Sequence, residues 1–454
     1  MSDRLLSVGL DVGTTSTQLV VSDLLVENRA SSFAVPEMEI TDRVIRYKSP
    51  VYFTPLLDEA RVDGWGIREI VEKEYAAAGI CREDVDTGAV IITGETGRKE
   101  NARAVLDALS DFAGEFVVAT AGPDLESVLA AKGAGAVAWS AETGKRILHM
   151  DIGGGTANLA LIEEGKIRKT GCLNVGGRLL KFDETGRVTY VSPVLAGICS
   201  LQVGQKATEK QVQAVAETLA QALEMAAGLR EETALLERLW TKEIATPVCA
   251  LVRSDMDDLT ISFSGGVADC MEKDIPWLKF GDMGPVLGRA IRKSRLGRGN
   301  YRLGSETIRA TVIGAGCHSA SLSGSTVFLQ NVELPLKNVP VVHPRMDRGS
   351  IRRELQKQEG ICVLSMPGMA SPSYGQVQSL AEEIAAVMAG KQVLLCLEQD
   401  MAKALGQALA LRLGSNAQIL CIDRVRLPRG SYLDVGLPVG PAFPVVVKTL
   451  ILGG

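Results

Sequence analysis

The sequence predicts an α/β protein in which two duplicated lobes face each other across a cleft. The segments Leu10 to Val21 and Met150 to Leu161 share one pattern: an apolar strand ending in Asp, an apolar residue and Gly, a turn of small residues, and a second apolar strand. They lie about 140 positions apart, which is too far for the repeating units of a solenoid. We therefore interpret them as one hairpin used in two homologous lobes.

The 454 residues exceed the size at which a single hydrophobic core stops growing, so several domains are expected. We predict a first lobe at 1–145, elaborated at about 28–60, a second lobe at 146–325 and a C-terminal domain at 326–454. In the last of these, apolar runs alternate with helical patterns, which predicts a small α/β domain with a parallel sheet. The elaboration is interpreted either as a plain surface excursion or as a contact with a partner.

Composition excludes several functional classes. The net charge of −5 and an aromatic fraction of 4% argue against a nucleic-acid surface, which needs basic and stacking side chains. Nine cysteines without a C-x-x-C pair, and only three histidines, indicate reduced thiols in a cytoplasmic protein. No window approaches the roughly 20 uninterrupted apolar residues of a membrane span, and the N-terminal apolar run is too short for a signal peptide.

The turn of each hairpin has the composition of a phosphate-binding loop. Phosphates approach the backbone closely only where side chains are absent, so Gly13 and the run Gly153, Gly154 and Gly155 can direct N–H groups at a triphosphate. Hydroxyl groups that can add further donors follow the glycines, at Thr14, Thr15 and Thr156. The predicted ligand is a triphosphate.

Each hairpin also places an aspartate at the end of its first strand, Asp11 and Asp151. Magnesium prefers hard oxygen ligands and keeps much of its hydration, so two carboxylates in a shared cleft can hold Mg²⁺ through its waters. Either turn alone also occurs as a sharp turn in unrelated proteins. Both together, in order and in matching strand contexts, favour a common metal and nucleotide site.

Two further glycine turns follow apolar strands. Gly265 and Gly266 follow the run that begins at Asp258, and such a turn lets a base or ribose lie on the backbone. Gly314, in the stretch that begins at Arg309, is compatible with ligand contact and with close helix packing alike. The small residues after Glu126 predict a helix that allows a second helix to cross it closely.

Five elements resemble, in chain order, the phosphate-1, connect-1, phosphate-2, adenosine and connect-2 motifs of actin, sugar kinases and heat-shock chaperone ATPases. They are the first hairpin, the helix after Glu126, the second hairpin, the turn at Gly265 and the turn at Gly314. The resemblance implies the actin-like ATPase (ribonuclease H-like) fold. Over the whole chain, including Ile92 to Ala102 and Leu433 to Gly440, the sequence is similar to the reactivating factors of ethanolamine ammonia-lyase, the EutA family.

This resemblance implies a chaperone-like ATPase that uses ATP and Mg²⁺. Its partner would be ethanolamine ammonia-lyase, an adenosylcobalamin-dependent enzyme, from which it would release damaged cobalamin. Carried over to this sequence, the catalytic residues are Asp11, Asp151 and Thr156, and the two aspartates bind the metal. The cofactor-binding set comprises Gly13, Thr14, Thr15, Gly153, Gly154, Gly155, Gly265, Gly266 and Gly314.

Two other functions are compatible with the same fold. A small-molecule kinase would need an additional carboxylate beside the γ-phosphate to deprotonate a substrate hydroxyl, and the sequence identifies none. An actin-like assembly protein would use nucleotide only to control polymerisation. The sequence leaves open a second subunit like that of the related diol dehydratase reactivases, a homo-oligomer, and association with a bacterial microcompartment.

Overall fold

The computed structural model describes most of the chain between residues 3 and 449. The gaps in this description are 14–15, 29–37, 59–60, 94–115, 121, 243, 245, 253–258, 300, 319, 323–325, 358–359, 428–430 and 439–442. Of the two stretches singled out for the family resemblance, residues 94–102 and 439–440 lie outside the described residues.

The first lobe is built on a mixed sheet. Its strands are β1 (Asp3–Val12), β2 (Ser16–Asn28), β3 (Met38–Lys48), β4 (Tyr52–Phe53), β5 (Thr87–Ile92) and β6 (Phe116–Thr120). The order is β3-β2-β1-β5-β6, with β4 paired to β2. Strands β1, β2 and β3 are antiparallel neighbours, whereas β1, β5 and β6 run parallel. Helix α1 (Gly64–Ala78) begins after Asp63, whose carboxylate accepts two backbone N–H bonds, and ends at Gly79.

The second lobe repeats this sheet. The chain continues through helices α2 (Pro123–Gly133) and α3 (Ala136–Thr143), and then through β7 (Arg146–Ile152), β8 (Ala157–Glu163), β9 (Lys166–Leu173), β10 (Leu180–Phe182), β11 (Val188–Val191), β12 (Leu259–Ser264) and β13 (Tyr301–Leu303). The order β9-β8-β7-β12-β13 matches that of the first lobe, with the same strand directions. The predicted duplication is therefore confirmed by the sheet topology.

Helices of the second half complete the core and connect the lobes. They are α4 (Glu209–Ala226), α5 (Ala234–Leu239), α6 (Gly284–Lys293), α7 (Arg295–Arg298) and α8 (Ala310–His318). The apolar positions of α4, from Val212 to Leu223, are buried, as its helical spacing predicts.

Two helices cross between the lobes. Helix α2 precedes the second sheet in sequence and packs on its strands β7, β8 and β9, while α8 packs on β1, β2 and β5 of the first sheet. The two helices also pack on each other. Each helix thus belongs to one lobe in sequence and packs on the sheet of the other, and this exchange of helices ties the lobes together. The boundaries at 145 and 325 stay predictions.

The C-terminal part forms one further sheet. Its elements are β14 (Ala320–Leu322), β15 (Phe328–Gln330), β16 (Leu336–Val342), α9 (Arg348–Leu355), β17 (Val363–Met366), α10 (Tyr374–Met388), β18 (Val393–Leu397), α11 (Ala402–Leu413), β19 (Ile419–Asp423), β20 (Ser431–Val435) and β21 (Pro444–Thr449). Strands β16 to β19 are parallel, as predicted, and antiparallel strands that the sequence did not reveal extend both edges. The sheet contacts the first lobe where β21 meets β6 and β14 meets β3.

A search of the described helices finds none that is both long enough and apolar enough to cross a membrane.

Candidate functional site

A cavity of about 760 Å³ lies between the two lobes. Its lining includes nine of the residues predicted from sequence: Asp11, Gly13, Asp151, Gly153, Gly154, Gly155, Thr156, Gly265 and Gly266. The two hairpins therefore face one common space, and their aspartates share it. Thr14 and Thr15 lie outside the described residues.

Gly314 lies at the crossing of α2 and α8 and is not part of the cavity lining. A Cβ atom at this position would come within 1.9 Å of the carbonyl oxygen of Leu129. Of the two interpretations open for Gly314, the geometry matches close helix packing.

Each of the two hairpin turns is closed by an equivalent backbone hydrogen bond. The N–H of Gly13 donates to the carbonyl of Ser16 at 2.9 Å, and the N–H of Gly153 donates to the carbonyl of Thr156, also at 2.9 Å. A Cβ atom added at Gly155 would meet nothing within 4 Å. The second turn thus leaves open space on its cavity side, as a loop that receives phosphate requires.

Gly265 has a different role from Gly155. Its φ of +87° is in the left-handed region, and a Cβ atom there would lie 2.3 Å from the carbonyl oxygen of Ile152. Glycine is therefore required by the fold at this point, and it also brings the backbone to the surface of the cavity.

Asp11 is 7% exposed, and its Oδ1 accepts a hydrogen bond from Thr93 Oγ1 at 2.9 Å. Burial raises the pKa of this carboxyl to about 7, and the nearby charges of Glu126 and Asp151 act in the same direction. The hydrogen bonds from Thr93 and Gln18 oppose the rise.

Asp151 is 8% exposed and is held by two hydroxyl groups. Ser264 donates to its Oδ1 in a short hydrogen bond, and Thr311 Oγ1 lies 3.5 Å from its Oδ2. Burial raises the pKa of Asp151 to about 6, against the lowering effect of both hydroxyls.

Two buried carboxylates with raised pKa values suit a divalent cation, because a bound cation favours their ionised forms. Among the described residues, no group of three or more His, Cys, Asp or Glu is arranged to hold a metal ion. Asp11 and Asp151 offer carboxylate oxygens, and Mg²⁺ takes one or two such ligands from a protein and completes its shell with water and phosphate oxygens.

Sequence reasoning missed a third carboxylate in the cavity. Glu126 lies in the first turn of α2, is 7% exposed, and accepts a hydrogen bond from Asn158 Nδ2 at 2.7 Å. The segment was interpreted from its small residues as a helix crossing, so its one buried acidic side chain went unassigned. The available signal is a carboxylate at the start of a small-residue helix that lies between the two glycine turns in the sequence.

Arg178 is a second residue of the cavity lining that the sequence did not reveal. Its backbone N–H donates to the carbonyl of Gly154 at 2.7 Å, and its Nε donates to Asp282 Oδ2 at 3.3 Å. The guanidinium carbon lies 5.6 Å from the ring centroid of Phe53, which belongs to the first lobe. A cation of the second lobe thus contacts the first lobe beside the cavity.

Other contacts join the lobes around the cavity. Gln18 Nε2 donates to the carbonyl of Ile308 at 2.8 Å, and Arg309 Nη2 donates to the carbonyl of Ser49 at 2.7 Å. Gln18 and Ile308 both line the cavity, so a ligand between the lobes would lie next to their junction.

The duplicated sheet order and the helices exchanged between the lobes define a protein of the actin-like ATPase fold. The chain belongs to the EutA family, since the family described as "Ethanolamine utilisation protein EutA" matches residues 3–453. It is 40% identical over 466 residues to "Ethanolamine ammonia-lyase reactivase EutA" of Salmonella typhimurium, with 98% of each chain covered. The protein of the same description from Escherichia coli is 38% identical over 476 residues, with the same coverage.

A solved structure described as ethanolamine utilization protein EutJ from Carboxydothermus hydrogenoformans is also similar to the chain. It is 18% identical and superimposes with a TM-score of 0.34 over 69% of this chain and 89% of that one. The family resemblance stated over the whole chain is confirmed by the family match over residues 3–453.

Proposed function

We propose that the chain is an ATP-dependent, chaperone-like reactivase of ethanolamine ammonia-lyase. In this proposal it promotes the exchange of damaged enzyme-bound cobalamin for intact adenosylcobalamin in the cytoplasm, and its association with a bacterial microcompartment stays a prediction. The partner is suggested by the description of the relatives, which are similar to this chain over 98% of its length. The observation that carries the ATPase assignment is that Asp11 and Asp151, from duplicated hairpins, line one cavity.

Nucleotide would bind with its phosphates between the two hairpin turns. The backbone at Gly13 and at Gly153 to Gly155 would approach the phosphates most closely, and the hydroxyl of Thr156 would lie beside them. The base and ribose would lie toward Gly265 and Gly266. The participation of Thr14 and Thr15 stays a prediction.

Asp11 and Asp151 would hold Mg²⁺, which when bound offsets the negative charge of the triphosphate. The chain itself keeps both carboxylates oriented through the hydroxyls of Thr93 and Ser264. It also keeps them largely out of water, so their electrostatic effect on a bound phosphate is larger than it would be at the surface.

Glu126 is the residue best placed to act on the attacking water. It lines the cavity with both aspartates, and Asn158 fixes one of its oxygens. Its carboxylate would orient the water and accept its proton while the new phosphorus–oxygen bond forms. The bond between the γ-phosphorus and ADP breaks in the same step, which yields ADP and inorganic phosphate.

Hydrolysis can drive exchange only if the ATP and ADP states bind the damaged lyase with different affinity. The cavity lies between lobes that are joined by Arg178 on Phe53 and by Gln18 on Ile308. Loss of the γ-phosphate would change how the lobes close on the ligand, and thereby the surface that they present. In this proposal, the contacts at the lobe junction couple ATP hydrolysis to the affinity for the damaged lyase.

A small-molecule kinase is the second candidate, and one observation favours it. Glu126 is the additional carboxylate that the kinase hypothesis requires, and sequence reasoning had identified none. The two functions differ in the acceptor of the phosphoryl group, which is water in the first and a hydroxyl compound in the second.

Reactivation is the test of the proposal. Ethanolamine ammonia-lyase inactivated with a damaged cobalamin is incubated with the purified chain, ATP, Mg²⁺ and adenosylcobalamin, and ammonia release from ethanolamine is followed. We expect activity to return with the wild-type chain and to stay low with Asp151→Ala or without ATP. ADP formation that requires a small hydroxyl compound and transfers the phosphoryl group to it, without reactivation, would favour the kinase. Filaments formed with ATP would favour an assembly protein.

A further inference from the structure

A chain of polar side chains runs beneath the cavity and ends at Asp151. His149 is on the same strand, and its side chain is 0% exposed. Its Nδ1 lies 3.1 Å from Ser262 Oγ and its Nε2 lies 2.9 Å from Ser264 Oγ. Ser264 in turn donates to Asp151 Oδ1.

The arrangement follows from the pairing of two parallel strands. His149 and Asp151 are two residues apart on β7 and therefore point to the same face of the sheet. On β12, Ser262 pairs with His149 and Ser264 pairs with Asp151. The pairing places a hydroxyl beside each nitrogen of the imidazole ring.

The hydrogen bonds can run in one direction only. Both ring nitrogens of the fully buried His149 lie against hydroxyl groups, and an uncompensated charge would be costly there, so the ring is neutral and has one N–H and one bare nitrogen. An ionised Asp151 can only accept, so Ser264 donates its single proton to Asp151 and must accept from His149. The N–H therefore belongs on Nε2, and the bare Nδ1 accepts from Ser262.

We propose that His149 is a positioning residue: in its Nε2–H tautomer, it aligns Asp151 through Ser264. With that tautomer, Nε2 donates to Ser264 Oγ, so the Ser264 hydroxyl donates its own proton to Oδ1 of Asp151. With the opposite tautomer, Nε2 would compete for the same proton and release the carboxylate. The relay fixes one oxygen of Asp151 and leaves Oδ2 for the cavity, where Thr311 is its neighbour.

Packing alone does not account for this residue. An apolar side chain of similar size could fill the space, whereas an imidazole needs a partner for each nitrogen when it is buried. The chain meets that need with two serines of β12, one of which also contacts Asp151. Cooperative polarisation along such a chain strengthens its last bond, the one that Asp151 accepts.

The tautomer can be measured directly and without any assay of activity. Nitrogen-15 NMR of the full chain with labelled histidine distinguishes protonated from bare ring nitrogens, and the chain has only three histidines. The signals of His149 are those absent from the His149→Gln spectrum. We expect a protonated Nε2 and a bare Nδ1 for His149, the same tautomer in Ser262→Ala, where Ser264 still accepts from Nε2–H, and a mixture of tautomers in Ser264→Ala. A protonated Nδ1 in the wild-type chain would overturn the proposal.

A kinetic comparison tests the consequence and rests on the proposed function. Gln and Met have similar length and volume, but only Gln places an N–H near the position of Nε2. We expect His149→Met to raise the Mg²⁺ concentration for half-maximal ATP hydrolysis, or to lower kcat, about tenfold or more, and His149→Gln to recover most of the loss. Equal losses in both variants would contradict positioning by the N–H. If the wild-type chain did not hydrolyse ATP, the proposed function would fail, and the tautomer measurement would still decide the relay.

Discussion

Gly314 of α8 packs directly on the backbone of Leu129 of α2, at a separation that leaves no room for a side chain. A Cβ atom at Gly314 would lie 1.9 Å from the Leu129 carbonyl oxygen, and one at Gly133 would lie 1.7 Å from the Ala310 carbonyl oxygen. The two helices are thus joined by glycine on each side of the crossing. Because each helix packs on the other lobe's sheet, this crossing determines how the lobes are held.

The first prediction concerns stability. Gly314→Ala should lower the free energy of unfolding by about 1 to 3 kcal/mol, because the added methyl group must displace backbone in a packed interface. Denaturant unfolding followed by circular dichroism measures the change. Gly375→Ala is the matched control, since a Cβ atom there meets nothing within 4 Å in α10, and it should be neutral or stabilising. A Gly314→Ala protein as stable as the control would contradict the close crossing.

The second prediction concerns the phosphate loop. Gly155→Ala introduces a methyl group that contacts no protein atom within 4 Å, so the free protein should unfold at an unchanged temperature. The same methyl group would occupy space that phosphate requires, and nucleotide affinity should fall about tenfold or more. Isothermal titration with a non-hydrolysable ATP analogue gives the affinity. Unchanged affinity would remove Gly155 from the binding site.

The parts of the site that were predictable from sequence are those encoded locally. Asp11 and Asp151 each follow an apolar strand and precede a glycine turn within a few residues, so the pattern is visible without knowledge of the fold. Because the pattern occurs twice, it indicates two lobes, and the matching strand orders of the two sheets reflect the same duplication. A single copy would have indicated only a sharp turn.

The parts that were missed depend on partners far away in the chain. Glu126 is held by Asn158 at a separation of 32 positions, and His149 meets Ser264 at a separation of 115. Arg178 contacts a phenylalanine of the other lobe. The hydrophobic periodicity of the sequence carries no information about such pairs. Tertiary packing decides which strands pair and which helix packs on the sheet of the other lobe. Gly314 illustrates the converse case, since the same glycine pattern suits a ligand and a helix crossing equally well.

The third prediction separates the roles of two acidic residues in hydrolysis. Asp151→Ala should lower ATP turnover on the order of a hundredfold or more, because a preorganised charged group is lost. Glu126→Gln should lower kcat by about a hundredfold or more and change the nucleotide affinity much less, because it removes the proton acceptor and keeps the shape. Glu142→Gln, an exposed position on α3, is the control for a general effect of charge. Turnover unchanged in Asp151→Ala and Asp11→Ala alike would show that the site assignment is wrong.

The fourth prediction follows from the raised pKa of Asp11, about 7 in the folded chain against an ordinary value of 3.8. Between these values the folded state binds more protons than the unfolded state, so this carboxyl contributes stability at low pH that is lost as the pH rises through 7. Asp11→Asn cannot ionise and should therefore be more stable than the wild-type chain at pH 8 without ligand, by about 2 to 4 kcal/mol. The advantage should shrink steadily toward pH 4.

Denaturant unfolding of both proteins from pH 4 to 8 measures this difference, with Asp274→Asn as the matched change of an exposed carboxylate that does not line the cavity. Addition of Mg²⁺ and nucleotide should stabilise the wild-type chain more than Asp11→Asn, because a bound cation compensates the buried charge that the variant lacks. An Asp11→Asn protein that is less stable than the wild type at pH 8 would mean that Asp11 serves the fold. The opposite result, with turnover lost, would mean that the chain keeps a destabilising carboxylate at the cavity because its function requires one.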